Sequence, residues 1–233
     1  LSNLSNHGLE LRPGMAASPG LGGGFDGNGN QQALEPGQAL DWNLRNQLQR
    51  VTQVTRANGA NDDEIYGYDS NGVRVRKIRR FNVRSQTHRD EVYYLPGLEI
   101  RRNSATGEWL NLLTVGSDHN NVRILQWEQG RPEGIEDGQV RFSFSDHLGS
   151  STLELDQSAR LLSHEGFYPY GATAWWAARN ALEASYKTLR HSGKERDASG
   201  PYYFDYRNYA PWLARRISAD PGDDIDGLNL YAM

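Results

Sequence analysis

Apolar and polar side chains alternate with a period of two at several separate places along this chain. In VRVR, Val73 and Val75 fall on one side, Arg74 and Arg76 on the other. In VRFSFS, Val140, Phe142 and Phe144 alternate with Arg141, Ser143 and Ser145, and in YYFDYRNY the rings of Tyr202, Phe204 and Tyr206 share one face. Successive side chains leave a pleated strand on opposite faces, so this period predicts β-strands. Turn signals separate them: Asp26-Gly-Asn-Gly29, Asp69-Ser-Asn-Gly72 and a weaker copy around Asp156. Asn-Gly favours hairpins because both residues can adopt positive φ. The pattern predicts a mainly β, antiparallel chain.

One stretch departs from it. TAWWAARNALEASYKTL is rich in alanine and lacks glycine and proline. Trp175, Ala178, Leu182 and Tyr186 follow helical spacing, and Thr173 is a plausible N-cap. A short helix is predicted over 174–187, with its tryptophan face packed on the sheet.

Three regions are expected. Residues 1–24 read as an irregular lead-in of Gly, Ser, Asn and Pro. Residues 25–139 carry the repeated turn-and-strand unit, and 140–233 form a different C-terminal region.

Composition narrows the chemistry. The 233 residues carry a net charge of −4, which gives no general case for nucleic-acid binding. Charge is uneven: nine Lys/Arg face three Asp/Glu between Val73 and Arg102, against one and four between Arg216 and Met233. Without cysteine, disulfides, zinc-thiolate sites and thiol nucleophiles are excluded. No apolar run is long enough to span a membrane as a helix. The six histidines are scattered without an i, i+4 pair, so no metal site and no cofactor is indicated.

The acidic cluster in SADPGDDIDGLNLYAM is the main chemical candidate. Peptide hydrolysis by carboxylates needs two at one site, one ionised to activate water and one protonated to polarise the carbonyl. Asp220 and Asp226 are too far apart in sequence for one strand face, but Pro221, Gly222 and Gly227 allow a loop to fold back. Asp-Pro, Asp-Gly and Gly-Asp are also ordinary turn pairs, so a purely structural loop stays open, and Asp223 and Asp224 read as solvated turn residues. A calcium loop fits poorly, because Gly222 stands where an acidic ligand is needed. In DHLGSS, Asp146, His147, Ser150 and Ser151 suggest a triad, yet sequence neighbours cannot generally converge on one substrate. The tyrosines of YYFDYRNYAPW could form a sugar-binding platform or line a sheet face.

Beside these features stands a family resemblance. YDSNGVRVRK resembles the YD repeat of Rhs proteins. FSDHLGSSTLELDQSARLLSHEGFYPYGATAWW and SGKERDASGPYYFDYRNYAPWLARRISADP resemble the Rhs-associated core, and TAWWAARNALEASYKT resembles the C component of bacterial insecticidal toxin complexes. The resemblance covers roughly residues 25–233. It implies a sheet that winds as part of a hollow shell, with an inward-folded C-terminal segment that seals it. It further implies a secreted complex of bacterial origin enclosing a C-terminal toxin payload, with a B-type shell component and a pore-forming translocation component as partners and no direct membrane insertion. The core of that family is an aspartate-dependent self-cleaving protease. Carried over, its aspartates fall on Asp220 and Asp226, its supporting arginine on Arg215 and its cut after Met233. Ala214 and Ala232 stand where the family pattern has glycine and arginine, and Arg216 where an aromatic is common. The alternative is a non-catalytic YD-repeat module that binds a glycan or a protein.

Overall fold

The computed structural model describes residues 6–9, 24–35, 37–84, 86–117, 120–225 and 227–233. Among the described residues, twelve strands form one antiparallel sheet in strict chain order. They are β1 (Leu40–Trp42), β2 (Leu48–Val54), β3 (Asp62–Tyr68), β4 (Arg74–Val83), β5 (Gln86–Leu95) and β6 (Leu98–Asn103), then β7 (Glu108–Ser117), β8 (Asn120–Gln129), β9 (Gln139–Ser145), β10 (Ser151–Asp156), β11 (Leu161–Phe167) and β12 (Thr173–Ala178). A second sheet holds β13 (Tyr202–Phe204), β14 (Arg207–Ala210) and β15 (Arg215–Arg216).

One local device recurs at the turns. At Asp26, Asn43, Asp69, Asp146 and Asp156 the side-chain Oδ1 accepts from the backbone N–H groups two and four residues on, at 2.8 to 3.1 Å. The residue three positions on (Gly29, Asn46, Gly72, Gly149, Ala159) takes a positive φ. This is a three-residue turn with a left-handed closing residue, not a two-residue turn. Asn71 therefore keeps a negative φ, and Gly72 alone supplies the left-handed position.

The predicted helix is mostly strand. Thr173–Ala178 pairs with β11 as β12, leaving one helical turn, α1 (Ala181–Ser185). Asn180, not Thr173, is the N-cap. Its Oδ1 accepts from Glu183 N–H at 2.8 Å, and its Nδ2 donates to the Glu183 carboxylate at 2.7 Å. The Asn-x-x-Glu spacing was readable in the sequence as a helix start, with Glu183 here accepting from the Asn180 side-chain amide instead of its backbone N–H. A free ladder on β11 outweighs intrinsic helix propensity, which tertiary context overrides even for alanine. Trp175 is half exposed against His164, and Trp176 lies under Arg190 and Lys187.

From α1 onward the chain runs back across one face of the sheet, against strand order. Glu183 bonds Gln139 of β9, Thr188 bonds Arg123 of β8, Glu195 pairs with Lys77 and Arg101, and Asp197 with Arg74. The path ends at β1–β3, where Leu40, Leu48, Val51 and Tyr66 pack with Ala210 and Ile217. A second apolar cluster, Leu110, Leu112, Leu125, Trp127 and Ile135, receives Tyr186. Between the two clusters the seam is ionic. The buried face carries Arg74, Lys77, Arg123, Arg141, Glu154 and Glu165, while Val73, Val75, Phe142 and Phe144 on the other face stay 37–41% exposed.

Candidate functional site

The return path delivers residues 215–233 to the turns at the start of the sheet. Ile217 is fully buried; its N–H donates to the Asn208 carbonyl and its carbonyl accepts from Gln31 N–H. Asp220 follows in a tight turn, where its Oδ1 accepts from Gly222 N–H at 2.9 Å. Its Oδ2 lies 2.6 Å from Nη2 of Arg207. Nη1 of the same guanidinium donates to the Leu230 carbonyl at 3.2 Å.

The next residue, Tyr231, is buried and held at three points. Its carbonyl accepts from Arg216 N–H at 3.1 Å, its hydroxyl donates to the Gly29 carbonyl at 2.7 Å, and its ring packs edge-on against Phe25 and His7. Burial raises the Tyr231 phenol pKa. A cleft of about 400 Å³ opens beside Asp220 and Arg207, walled by Asn30, Asn46, Gln47 and Tyr206.

Asp220 thus sits beside the segment on which the family resemblance places the cut, and Met233 is half exposed just beyond the Tyr231 anchor. Asp226 lies outside the described residues. Asp223 and Asp224 are exposed turn residues, as read from the sequence. Arg215 is turned away from the Asp220 pair: it donates to the Asn6 carbonyl and lies 5.1 Å from the Tyr231 ring centre. Burial lowers its pKa, and Tyr231 opposes that shift. Arg216 is stacked 4.3 Å over Phe204, and burial first, then Arg207, pushes its pKa down to about 10. The arginine that meets Asp220 is Arg207, which sequence reasoning passed over. Its signal was its place thirteen residues before Asp220, which spacing alone could not single out. Ala214 adopts φ +52, a conformation that favours glycine.

The other candidates are structural. His147 is exposed, and Ser150 meets His191 instead, with Oγ 3.2 Å from Nδ1. Both are buried, so the pair pins the Asp146 turn to the turn at 190–194 and offers no accessible nucleophile. Tyr202 and Tyr209 are fully buried and donate to the Gly171 and Tyr170 carbonyls. The period-two reading breaks at Asp205, whose φ of +53 turns the chain before Tyr206. These rings do not form a surface platform.

No family model matches the chain. Two Yersinia entomophaga proteins are similar: toxin subunit YenC2, 44% identical over 213 residues, and toxin subunit YenC1, 45% identical over 215. Each match takes in 90% of this chain and 22% of the relative, so the chain spans about a fifth of their length. Among solved structures, TcdB2-TccC3 matches with a TM-score of 0.87 and 50% identity, over 90% of this chain and 10% of that one. The Photorhabdus luminescens Tc holotoxin pore, carrying an aspartate-to-alanine substitution in TccC3, matches with a TM-score of 0.86, 49% identity and the same coverage.

Proposed function

Because the chain belongs to the Rhs/YD-repeat family of bacterial toxin-complex subunits, we propose that it builds part of a shell around a C-terminal toxin and frees that toxin by cutting its own backbone. The observation that carries this reading is the tether at Asp220: one guanidinium joins its carboxylate to the Leu230 carbonyl, three residues before Met233. A solved TcdB2-TccC3 without its hypervariable C-terminal region accords with a variable segment at that end of a relative. Partners would be a B-type shell component, a pore-forming component and the payload, in a secreted complex.

In the reaction, the ionised member of the pair Asp220 and Asp226 takes a proton from water as the water oxygen adds to the Met233 carbonyl carbon. The protonated member gives its proton to the carbonyl oxygen. Collapse of the adduct breaks the C–N bond: the carboxyl that took the water proton gives it to the departing nitrogen, and the other carboxylate recovers its proton from an adduct hydroxyl. Met233 is left with a carboxyl terminus and the payload with a free amine. Arg215 would support the site through the Tyr231 ring.

The test is a polypeptide that continues past Met233 into the payload. The parent should appear as two fragments with a new amino terminus at the following residue. Asp220→Asn and Asp226→Asn should remain full length; cleavage by either variant at the parental rate overturns the assignment.

A further inference from the structure

Arg123 of β8 and Arg141 of β9 are direct partners across the two strands, and both are fully buried under the returning chain. Side chains directly opposite on one face stand roughly 5 Å apart at Cβ, and like charges placed so repel. An arginine keeps its proton inside a protein, so the repulsion is not relieved by titration. Burial lowers the pKa of both groups. Glu99 opposes it at Arg123 and Glu154 at Arg141, where Arg123 adds to the lowering.

The carboxylates within reach are committed elsewhere. Glu99 lies 3.5 Å from Arg123 Nη2 but holds Arg101 at 2.6 Å. Glu154 lies 4.0 Å from Arg141 Nη1 and accepts from the Ser163 hydroxyl at 2.8 Å. The Glu183 carbonyl accepts from Arg141 Nη1 at 2.9 Å, while its carboxylate serves Arg179. Further along the same face Lys187 and Arg190 share the one carboxylate of Glu165. The remaining contacts are neutral: Arg123 Nη2 donates to Thr188 Oγ1 at 2.7 Å, and Arg141 Nε donates to Gln139 Oε1 at 3.0 Å. Nε and Nη1 of Arg123 and Nη2 of Arg141 are buried with no acceptor among the described residues. A buried donor left unmet forfeits its hydration, and the penalty is greatest for a charged group.

We propose that Arg123 and Arg141 together bind a small monovalent anion, of the class of chloride, between the sheet and the returning chain. The site is separate from Asp220 and does not depend on how that residue is read. A spherical anion accepts from several N–H groups at once and has no hydrogen to place, so it matches free groups that are all donors. It also offsets the repulsion between the two guanidinium charges. A water molecule has hydrogens to place and leaves that repulsion standing. An approach from solvent exists, because Thr188 and Arg101 both wall a cleft of about 450 Å³ over the ionic seam. Neither Arg123 nor Arg141 walls it, so an ion must pass Thr188 to reach them, which favours a monatomic ion over phosphate or sulfate.

The full-length subunit serves for the test, with sodium chloride exchanged for sodium gluconate at constant ionic strength. Hydrogen exchange of the β8 and β9 amides should slow as chloride rises and then follow simple one-site binding. Chloride at ten times its dissociation constant should slow exchange through opening of the site about tenfold. Arg123→Met removes the repulsion and two of the free donors, so its exchange should not respond to chloride. Crystals of the parent grown in bromide should show an anomalous peak between the two guanidinium groups, a reading that stands even where the variant fails to fold. Equal exchange in chloride and gluconate, or the absence of that peak, overturns the proposal. A bromide peak without any effect of chloride on exchange marks an adventitious ion only and overturns it too. A chloride response that persists in Arg123→Met places the ion elsewhere, with the same consequence.

Discussion

Arg74 and Asp197, 123 residues apart, meet in a bidentate pair at 2.9 and 3.0 Å with both side chains out of solvent. The guanidinium is also sandwiched between the rings of Tyr66 and Tyr203, at 4.1 and 3.9 Å. Lys77 bridges from Asp197 to Glu195, which Arg101 joins. Burial opposes the charge on Glu195, but Lys77 and Arg101 outweigh it and hold that carboxyl well below its usual range. Breaking a buried pair by removing one partner costs about 3–5 kcal/mol, because the other charge is stranded. Arg74→Met should lower the urea midpoint accordingly, and adding Asp197→Leu should recover part of the loss. If the single and double variants unfold alike, the pair does not act as a unit.

Ala214 offers the opposite change. A non-glycine residue in the left-handed region costs roughly 1–2 kcal/mol, and Ala214 sits there at φ +52. Ala214→Gly should raise the unfolding free energy by about 1 kcal/mol after the extra freedom of glycine in the unfolded chain is counted. An unchanged or lowered midpoint in denaturant would refute it.

His191 predicts a dependence on mild acid. Burial, opposed by Asp146, lowers its pKa below 6.5. The unfolded chain thus binds the proton more readily than the folded one. The stabilising contribution is complete above about pH 6.5 and is lost as pH falls through the folded value. The depressed carboxylates Glu195 and Asp156 act in the same sense but only at lower pH, below their unfolded values near 4. Unfolding free energy should therefore decline between pH 7 and 5 in the parent, and His191→Gln should flatten that decline.

Gly29 bears on the segment proposed to be cut, without touching a carboxylate. Its φ is +80, and an added Cβ would lie 2.5 Å from the Tyr231 hydroxyl oxygen. Gly29→Ala should displace Tyr231, slow self-cleavage and leave the far-UV circular dichroism unchanged. Cleavage at the parental rate would show that the Tyr231 anchor is dispensable.

What the sequence determined by itself was local. The turns at Asp26, Asp69 and Asp156 were legible because an aspartate closes them through bonds to backbone within four residues. The strands were legible because period-two alternation is a property of the backbone alone. The tight turn at Asp220 is of the same kind. The tertiary structure decided what depends on distant partners. Residues 173–178 became a strand because β11 offered an open ladder. Arg74 and Lys77 of β4 turned inward, with Val73 and Val75 left outside, because Asp197 and Glu195 return over them, while a register shift leaves Arg76 part-exposed on Glu91. Arg207 met Asp220 because that returning chain carries Tyr231 to Gly29, 202 residues away in sequence, and no local pattern encodes so distant a contact.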